Sequence, residues 1–187
     1  MLSFWSMCLL RRGPQSLPVN HLFLGVTLLV NLLLSAALNR NARLLLAEIA
    51  QPENYTQINF LSEIGMVIVA AIVFAGLVYA VLKIFNYQAR TYQTLFALFG
   101  TSLIFAGLML VATAISSSSP LLWALTFISI GIWSLIVSGN ILAIAIETTL
   151  FRGVLVFIAI GIVQGIVSFL LFETPSSIAV PTDVSAT

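Results

Sequence analysis

Five polar or charged side chains stand inside, or at the edges of, long apolar stretches of this chain. They are Asn31, Glu63, Glu147, Arg152 and Gln164. Charged groups within a bilayer are costly, and they commonly mark substrate or proton pathways. A carboxamide in the same surroundings seeks a hydrogen-bond partner on a neighbouring helix. These residues are therefore the candidates for binding or for catalysis. Which role applies depends on how the helices position their side chains.

Each candidate also has a structural interpretation. Glu63 lies at the predicted membrane boundary, beside a helix N-terminus, where its carboxylate still reaches water. Glu147 and Arg152 flank a short turn and are predicted to clamp it if the chain reverses between them. For Arg152 a lipid-headgroup contact is an alternative, and a proton or substrate role for the pair is a third. Asn31 and Gln164 are predicted to form hydrogen bonds between helices.

No catalytic centre is expected from the sequence. The single histidine, His21, has no Cys, Asp or second His near it, and the single cysteine, Cys8, excludes an internal disulfide and a cysteine metal cage. The motifs HExxH and GxSxG and a Walker-type glycine loop do not occur. We therefore predict a protein that is not an enzyme and that has no metal or cofactor site.

The composition is that of a membrane protein. Hydrophobic residues make up 60% of the 187 positions and charged residues 7%, against roughly 45–50% and 25% in soluble domains. A soluble fold of this size could not bury so much apolar surface. The net charge of +1 and the absence of a basic run argue against a nucleic-acid partner.

Five apolar stretches are each long enough to cross a bilayer, for which a helix needs about 20 residues. They are Val19–Asn39, Leu61–Ile84, Gln93–Ile115, Leu121–Ile146 and Leu150–Phe172. The connections are mostly short, so consecutive spans should be antiparallel neighbours. The predicted fold class is all-α, a polytopic membrane helix bundle with five transmembrane helices.

The flanking segments are predicted to lie outside the lipid core. Residues 1–18 form an interfacial lead before the transmembrane domain at 19–172, and the Ser-, Thr- and Pro-rich residues 173–187 form a disordered tail. In the longest loop, leucine-rich Ala42–Ala50 is predicted to be a surface helix that ends before Pro52.

The distribution of Lys and Arg predicts the orientation, because these residues are enriched in cytoplasmic loops. One side would hold Arg11, Arg12, Lys83, Arg90 and Arg152, and the other Arg40 and Arg43. The N-terminus is therefore predicted to be cytoplasmic and the C-terminus exported, most simply in a bacterial inner membrane. In an ER or Golgi membrane, Asn54-Tyr55-Thr56 would be an N-glycosylation acceptor on the outward loop.

Small residues indicate where helices pack. Gly153, Gly161 and Gly165 form a stripe on the last span that ends in a GxxxG step. Glycines without a Cβ allow another backbone to approach closely. We expect this stripe to pack within the chain, although contact between chains, including a homo-oligomer, is the alternative.

The layout resembles the Yip family of membrane proteins. Five closely spaced spans carry the resemblance, together with the turn Asn86-Tyr87-Gln88-Ala89-Arg90-Thr91-Tyr92. The N-terminal lead is similar to that of small bacterial members; it reads Leu9-Leu10-Arg11-Arg12-Gly13-Pro14-Gln15-Ser16-Leu17-Pro18. Eukaryotic Yip proteins act in vesicle traffic, bind Rab-type GTPases and carry a long hydrophilic N-terminal region. Here only about 18 residues precede the first span, which departs from the pattern of the GTPase-binding members, and no functional residue carries over from the family.

Two functional hypotheses follow. The first is a non-catalytic scaffold, assembly or trafficking factor that binds lipid and other membrane proteins through helix contacts. The second is a small transporter or channel that uses Glu63, Gln164 and Asn31. Clustering of polar residues would distinguish them, because a pore or binding site needs polar groups on facing sides of several spans. In the sequence these groups are scattered, which favours the first hypothesis.

Overall fold

The structure, a computed structural model, describes residues 21–50, 60–116 and 120–172. Every regular element within these ranges is helical. In chain order the elements are α1 (His21–Ala50), α2 (Phe60–Ile84), a 3-10 helix (Gln88–Arg90), α3 (Thr91–Ser116), α4 (Pro120–Ala145) and α5 (Leu150–Phe172). The predicted all-α class is confirmed for the described residues.

Four of the described helices are long and apolar enough to cross a membrane. Their qualifying segments are Glu63–Ile84, Gln88–Thr113, Leu121–Ala145 and Leu150–Leu171, of 22 to 26 residues each. A helix suits lipid because its own hydrogen bonds satisfy the peptide groups within it. The limits of α2 to α5 agree with the predicted spans within two residues.

Helix α1 differs from the prediction. Its apolar segment, Leu22–Leu38, is shorter than the other four. The expected separate helix at Ala42–Ala50 is not separate, because α1 continues unbroken from His21 to Ala50. Residues 39–43 are mostly polar, but they contain neither proline nor glycine, the residues that most disfavour a helix interior. The helix therefore continues through them.

Two tight turns of the same geometry connect α2 to α3 and α4 to α5. Asn86 and Glu147 adopt left-handed backbone angles, with φ of 64° and 54°. After each, a backbone N–H closes the helix end: that of Tyr87 donates to Leu82 O at 2.7 Å, and that of Thr148 to Ala143 O at 2.8 Å. This six-residue closure is the Schellman motif, which satisfies otherwise free carbonyls at a helix C-terminus.

Helices α4 and α5 make a close backbone contact at two glycines. A Cβ added to Gly139 would lie 2.7 Å from Val154 Cα, and one added to Gly153 would lie 2.8 Å from the Ala143 nitrogen. Both distances are too short for a real contact. Glycine at these two positions is therefore what lets the hairpin close.

The largest fully buried side chains are concentrated in the half of the bundle next to the two turns. They include Val78, Leu82, Val137, Ile141 and Leu142, near the ends of α2 and α4. In the opposite half, where α2 begins and α5 ends, the residues between the helices include the polar Asn31, Ser35, Glu63 and Ser168. The consequence is a cavity.

Candidate intramembrane binding cavity

A cavity of about 850 Å³ lies between the helices, and all five helices contribute to its wall. Ligand-binding cavities typically measure about 300–1,000 Å³. The polar residues of its wall are Asn31, Ser35, Glu63, Ser102, Ser134, Ser138, Gln164 and Ser168. The three candidates Asn31, Glu63 and Gln164, which the sequence left scattered, therefore meet around one space.

Three helices present their polar residues as pairs separated by four positions. The pairs are Asn31 with Ser35, Ser134 with Ser138, and Gln164 with Ser168. Residues four apart lie on the same face of a helix, one turn from each other. This spacing was the signal that our sequence reasoning missed, because it weighed each polar residue singly.

Asn31 fixes α1 to α3 at the cavity wall. Its Nδ2 donates to Phe99 O at 3.3 Å and also to Ser102 Oγ. Its Oδ1 accepts from Ser35 Oγ at 3.4 Å. The predicted interhelical hydrogen bond of Asn31 is therefore present, and its amide donor is used within the protein.

Gln164 fixes α5 to α2 in a similar way. Its Nε2 donates to Ala70 O at 3.4 Å. Among the described residues, none donates a hydrogen bond to the carbonyl oxygen of the Gln164 side chain. A primary amide has two N–H donors and one carbonyl acceptor, so one donor and the acceptor of Gln164 remain available at the cavity.

Glu63 is more deeply enclosed than a boundary residue should be. We expected its carboxylate to reach water beside the N-terminus of α2, but the residue is only 5% exposed and lines the cavity. Its Oε2 is buried and meets no hydrogen-bond donor among the described residues. An unpaired buried carboxylate oxygen costs free energy, so its position calls for a ligand or water.

Three of the four phenylalanines that line the cavity form a cluster some distance from Glu63. Phe74 lies between Phe99 and Phe157, with ring centroids 5.9 and 6.2 Å away and both contacts edge-to-face. Along α2, Phe74 is eleven residues from Glu63, which corresponds to about 16 Å at 1.5 Å per residue. The cavity is therefore charged at one level and aromatic at another.

Glu147 pairs with a different residue from the one predicted. Arg90 Nη2 lies 2.7 Å from Glu147 Oε1, and the Tyr87 hydroxyl donates to Oε2 at 2.9 Å. Arg90 also donates to Ala145 O at 3.3 Å. Arg152 is exposed and forms no ion pair within the described residues, so the predicted Glu147–Arg152 clamp is wrong. The turn directs Glu147 toward the start of α3 instead.

This cluster shifts the pKa values of two side chains at the turns, Glu147 and Tyr87. The hydrogen bond from Arg90, helped by the one from Tyr87, lowers the pKa of Glu147. The hydrogen bond to Glu147 raises the pKa of Tyr87, because ionised tyrosine could not donate it. Both effects favour the charged carboxylate and the neutral phenol at neutral pH.

The predicted glycine stripe divides into two parts. Gly153 lies in the close contact with α4, but a Cβ added to Gly161 or Gly165 meets no described atom within 4 Å. At 100° per residue, Gly161 and Gly165 stand about 80° and 120° around the helix from Gly153. The expected intrachain packing therefore applies to Gly153 and not to the other two.

Several predictions lie outside the described residues. They are the interfacial lead at 1–18, the tail at 173–187, Cys8 and the glycosylation motif at Asn54. No protein-family model matches the chain, and no curated protein or solved structure has significant similarity to it. The wall chemistry therefore carries the functional argument.

Proposed function

We propose that this chain is a small membrane transporter that binds a solute non-covalently in the cavity between its helices. The observation that carries the proposal is the convergence of Glu63 and three polar pairs, from four helices, on one space. In membrane proteins, polar groups that face a cavity mark the path of a solute. Tight packing near the two turns closes one end, so the arrangement supports a binding site with gated access better than an open channel.

The proposal includes five spans. Leu22–Leu38 is at the short end of the range for a spanning helix, and the hydrogen bonds of Asn31 hold it against α3, itself a candidate span. With the N-terminus cytoplasmic, Lys83, Arg90 and Arg152 lie on the cytoplasmic side together with both tight turns. The cavity then lies toward the outer face of what we propose is a bacterial inner membrane.

Thiol labelling tests whether water reaches the cavity. On a Cys8→Ser background, Ser134→Cys introduces a thiol at the wall, whereas Ser129→Cys introduces one on the exposed face of the same helix, where lipid would lie. Thiolates react in water and are scarce in lipid. We expect a membrane-impermeant methanethiosulfonate reagent to modify Ser134→Cys much faster than Ser129→Cys. Equal rates would contradict a hydrated cavity.

A second candidate is the scaffold, assembly or trafficking role. It is favoured by the GxxxG step of Gly161 and Gly165, where an added Cβ meets no described atom within 4 Å, although Gly165 also borders the cavity. Such a step allows a helix of a second copy or of another membrane protein to approach. Cross-linking in native membranes would test it: Gly161→Leu, at a position that does not line the cavity, should remove a cross-linked species that the wild type forms. Unchanged cross-linking would contradict the scaffold role.

A further inference from the structure

We propose that the cavity selects an organic ammonium ion, a molecule with a cationic N–H-bearing head and an apolar body. This inference rests on the proposed function and names its ligand class. It is carried by the distribution of charge, hydrogen-bonding capacity and aromatic surface over the wall.

The described part of the wall contains one ionisable group, and that group is acidic. Of the described residues that line the cavity, Glu63 is the only charged one, and none is Lys, Arg or His. An anionic ligand would meet a buried carboxylate with no cation to offset it. A neutral ligand would leave that carboxylate without a counter-charge, whereas an ammonium ion supplies one.

The free hydrogen-bonding capacity also favours a donor-bearing ligand. The amide groups of Asn31 and Gln164 already donate to Phe99 O, Ser102 Oγ and Ala70 O. The acceptors that face the cavity without a described donor include Glu63 Oε2 and the carbonyl oxygen of Gln164, while the serine hydroxyls of the wall can either donate or accept. An ammonium group has donors only, so it matches two open acceptors.

The phenylalanines of the wall indicate that the ligand has an apolar body in addition to its charged head. Phe74, Phe99 and Phe157 supply an apolar surface that is displaced from Glu63 along the bundle. One small ammonium ion cannot touch both. An elongated molecule places its head at Glu63 and its apolar body toward the rings. A hard metal ion is disfavoured because it prefers six or more oxygen ligands, and the wall offers one carboxylate.

A matched series of probes tests the inference. We choose 4-phenylbutylamine, 4-phenylbutanol and 4-phenylbutyrate, which share an apolar body and differ in head charge. Binding is measured by calorimetry on the full chain in phosphatidylcholine nanodiscs, at constant NaCl, with subtraction of empty nanodiscs. We expect the amine to bind at least about tenfold more tightly than the other two. Glu63→Gln should remove that preference, and Glu147→Gln, which removes a carboxylate away from the cavity, should keep it.

The ammonium group could belong to a free amine or to a lipid headgroup, and nanodisc composition separates these sources. If the resident ligand is phosphatidylethanolamine, its addition to the nanodiscs should weaken binding of the amine in competition. If the resident ligand is a soluble amine, the added lipid should leave the affinity unchanged. Both results support the ammonium site.

Two results would overturn the inference. Equal affinities for the three probes, unaffected by Glu63→Gln, would leave a solute-binding cavity without charge selection. Absence of binding by every probe would exclude this ligand class. In either case, fast labelling of Ser134→Cys would retain the proposed function, whereas slow labelling would remove that function as well.

Discussion

Arg90 Nη2 lies 2.7 Å from Glu147 Oε1, and this ion pair joins the turn before α3 to the turn before α5. The two residues are 57 positions apart in the chain. Tyr87 completes the cluster by donating to the second carboxylate oxygen. The two helical hairpins are thus tied together at the closed end of the bundle, away from the cavity.

The strength of the Arg90–Glu147 ion pair should depend on pH through the titration of the Glu147 carboxyl group. Because Arg90 holds its pKa below the ordinary 4.5, the carboxylate stabilises the folded state at pH values above that ordinary value. The contribution is lost as the pH falls through the lowered value. We expect hydrogen-exchange protection factors at the turns to fall slightly on acidification, because the pair is solvent-exposed. Glu147→Gln should show no such fall; a parallel fall in both proteins would exclude Glu147 as the cause.

Replacement of glycine at the α4–α5 contact should destabilise the bundle. Gly153→Ala places a methyl group against the Ala143 backbone, and overpacking of this kind costs about 1–3 kcal/mol. The matched control is Gly161→Ala, where the added methyl group meets open space. Unfolding in mixed micelles should separate the two variants. Equal stability would show that the helices do not approach so closely.

The left-handed backbone conformation of Asn86 at the first turn leads to a second prediction about stability. Asn86 has a φ of 64°, which glycine adopts without strain and a β-branched residue adopts poorly. Asn86→Val should lower the free energy of unfolding by about 1–2 kcal/mol, whereas Asn86→Gly should be close to neutral. If valine is tolerated as well as glycine, the turn does not have this geometry.

The hydrogen bond between Asn31 and Ser102 should couple α1 to α3. A double-mutant cycle with Asn31→Ala and Ser102→Ala isolates the pair, and interhelical hydrogen bonds in membrane proteins average about 0.6 kcal/mol, up to about 1.7. We expect a positive coupling energy in that range. Additive effects would mean that the two side chains do not interact, and the position of α1 in the bundle would need revision.

The positions of the helices could be predicted from the sequence because length and apolarity are local properties. The limits of α2 to α5 follow from where the apolar stretches begin and end. The change of polarity after Asn39 predicts a break that α1 does not have, because polarity alone does not disrupt the backbone hydrogen bonds of a helix. Only a residue that disrupts backbone hydrogen bonding, such as Pro52, gives a local stop signal.

The site could be predicted only in part. Asn31, Glu63 and Gln164 are conspicuous as polar residues in apolar stretches, but their meeting depends on how helices rotate against one another. The nearly uniform apolarity of the helices gives little guidance on rotation. In the sequence, Arg90 is notable as a charge that sets orientation and as part of the turn at 86–92, and nothing local connects it to Glu147.

Solute flux tests the central claim of a transport cavity most directly. Proteoliposomes that contain the full chain would be loaded with individual members of a broad panel of labelled solutes, with exchange measured against protein-free vesicles. We predict saturable exchange of at least one solute that is lost in Glu63→Gln and retained in Glu147→Gln. Absence of exchange for the whole panel by folded protein, or exchange that Glu63→Gln leaves unchanged, would contradict the account.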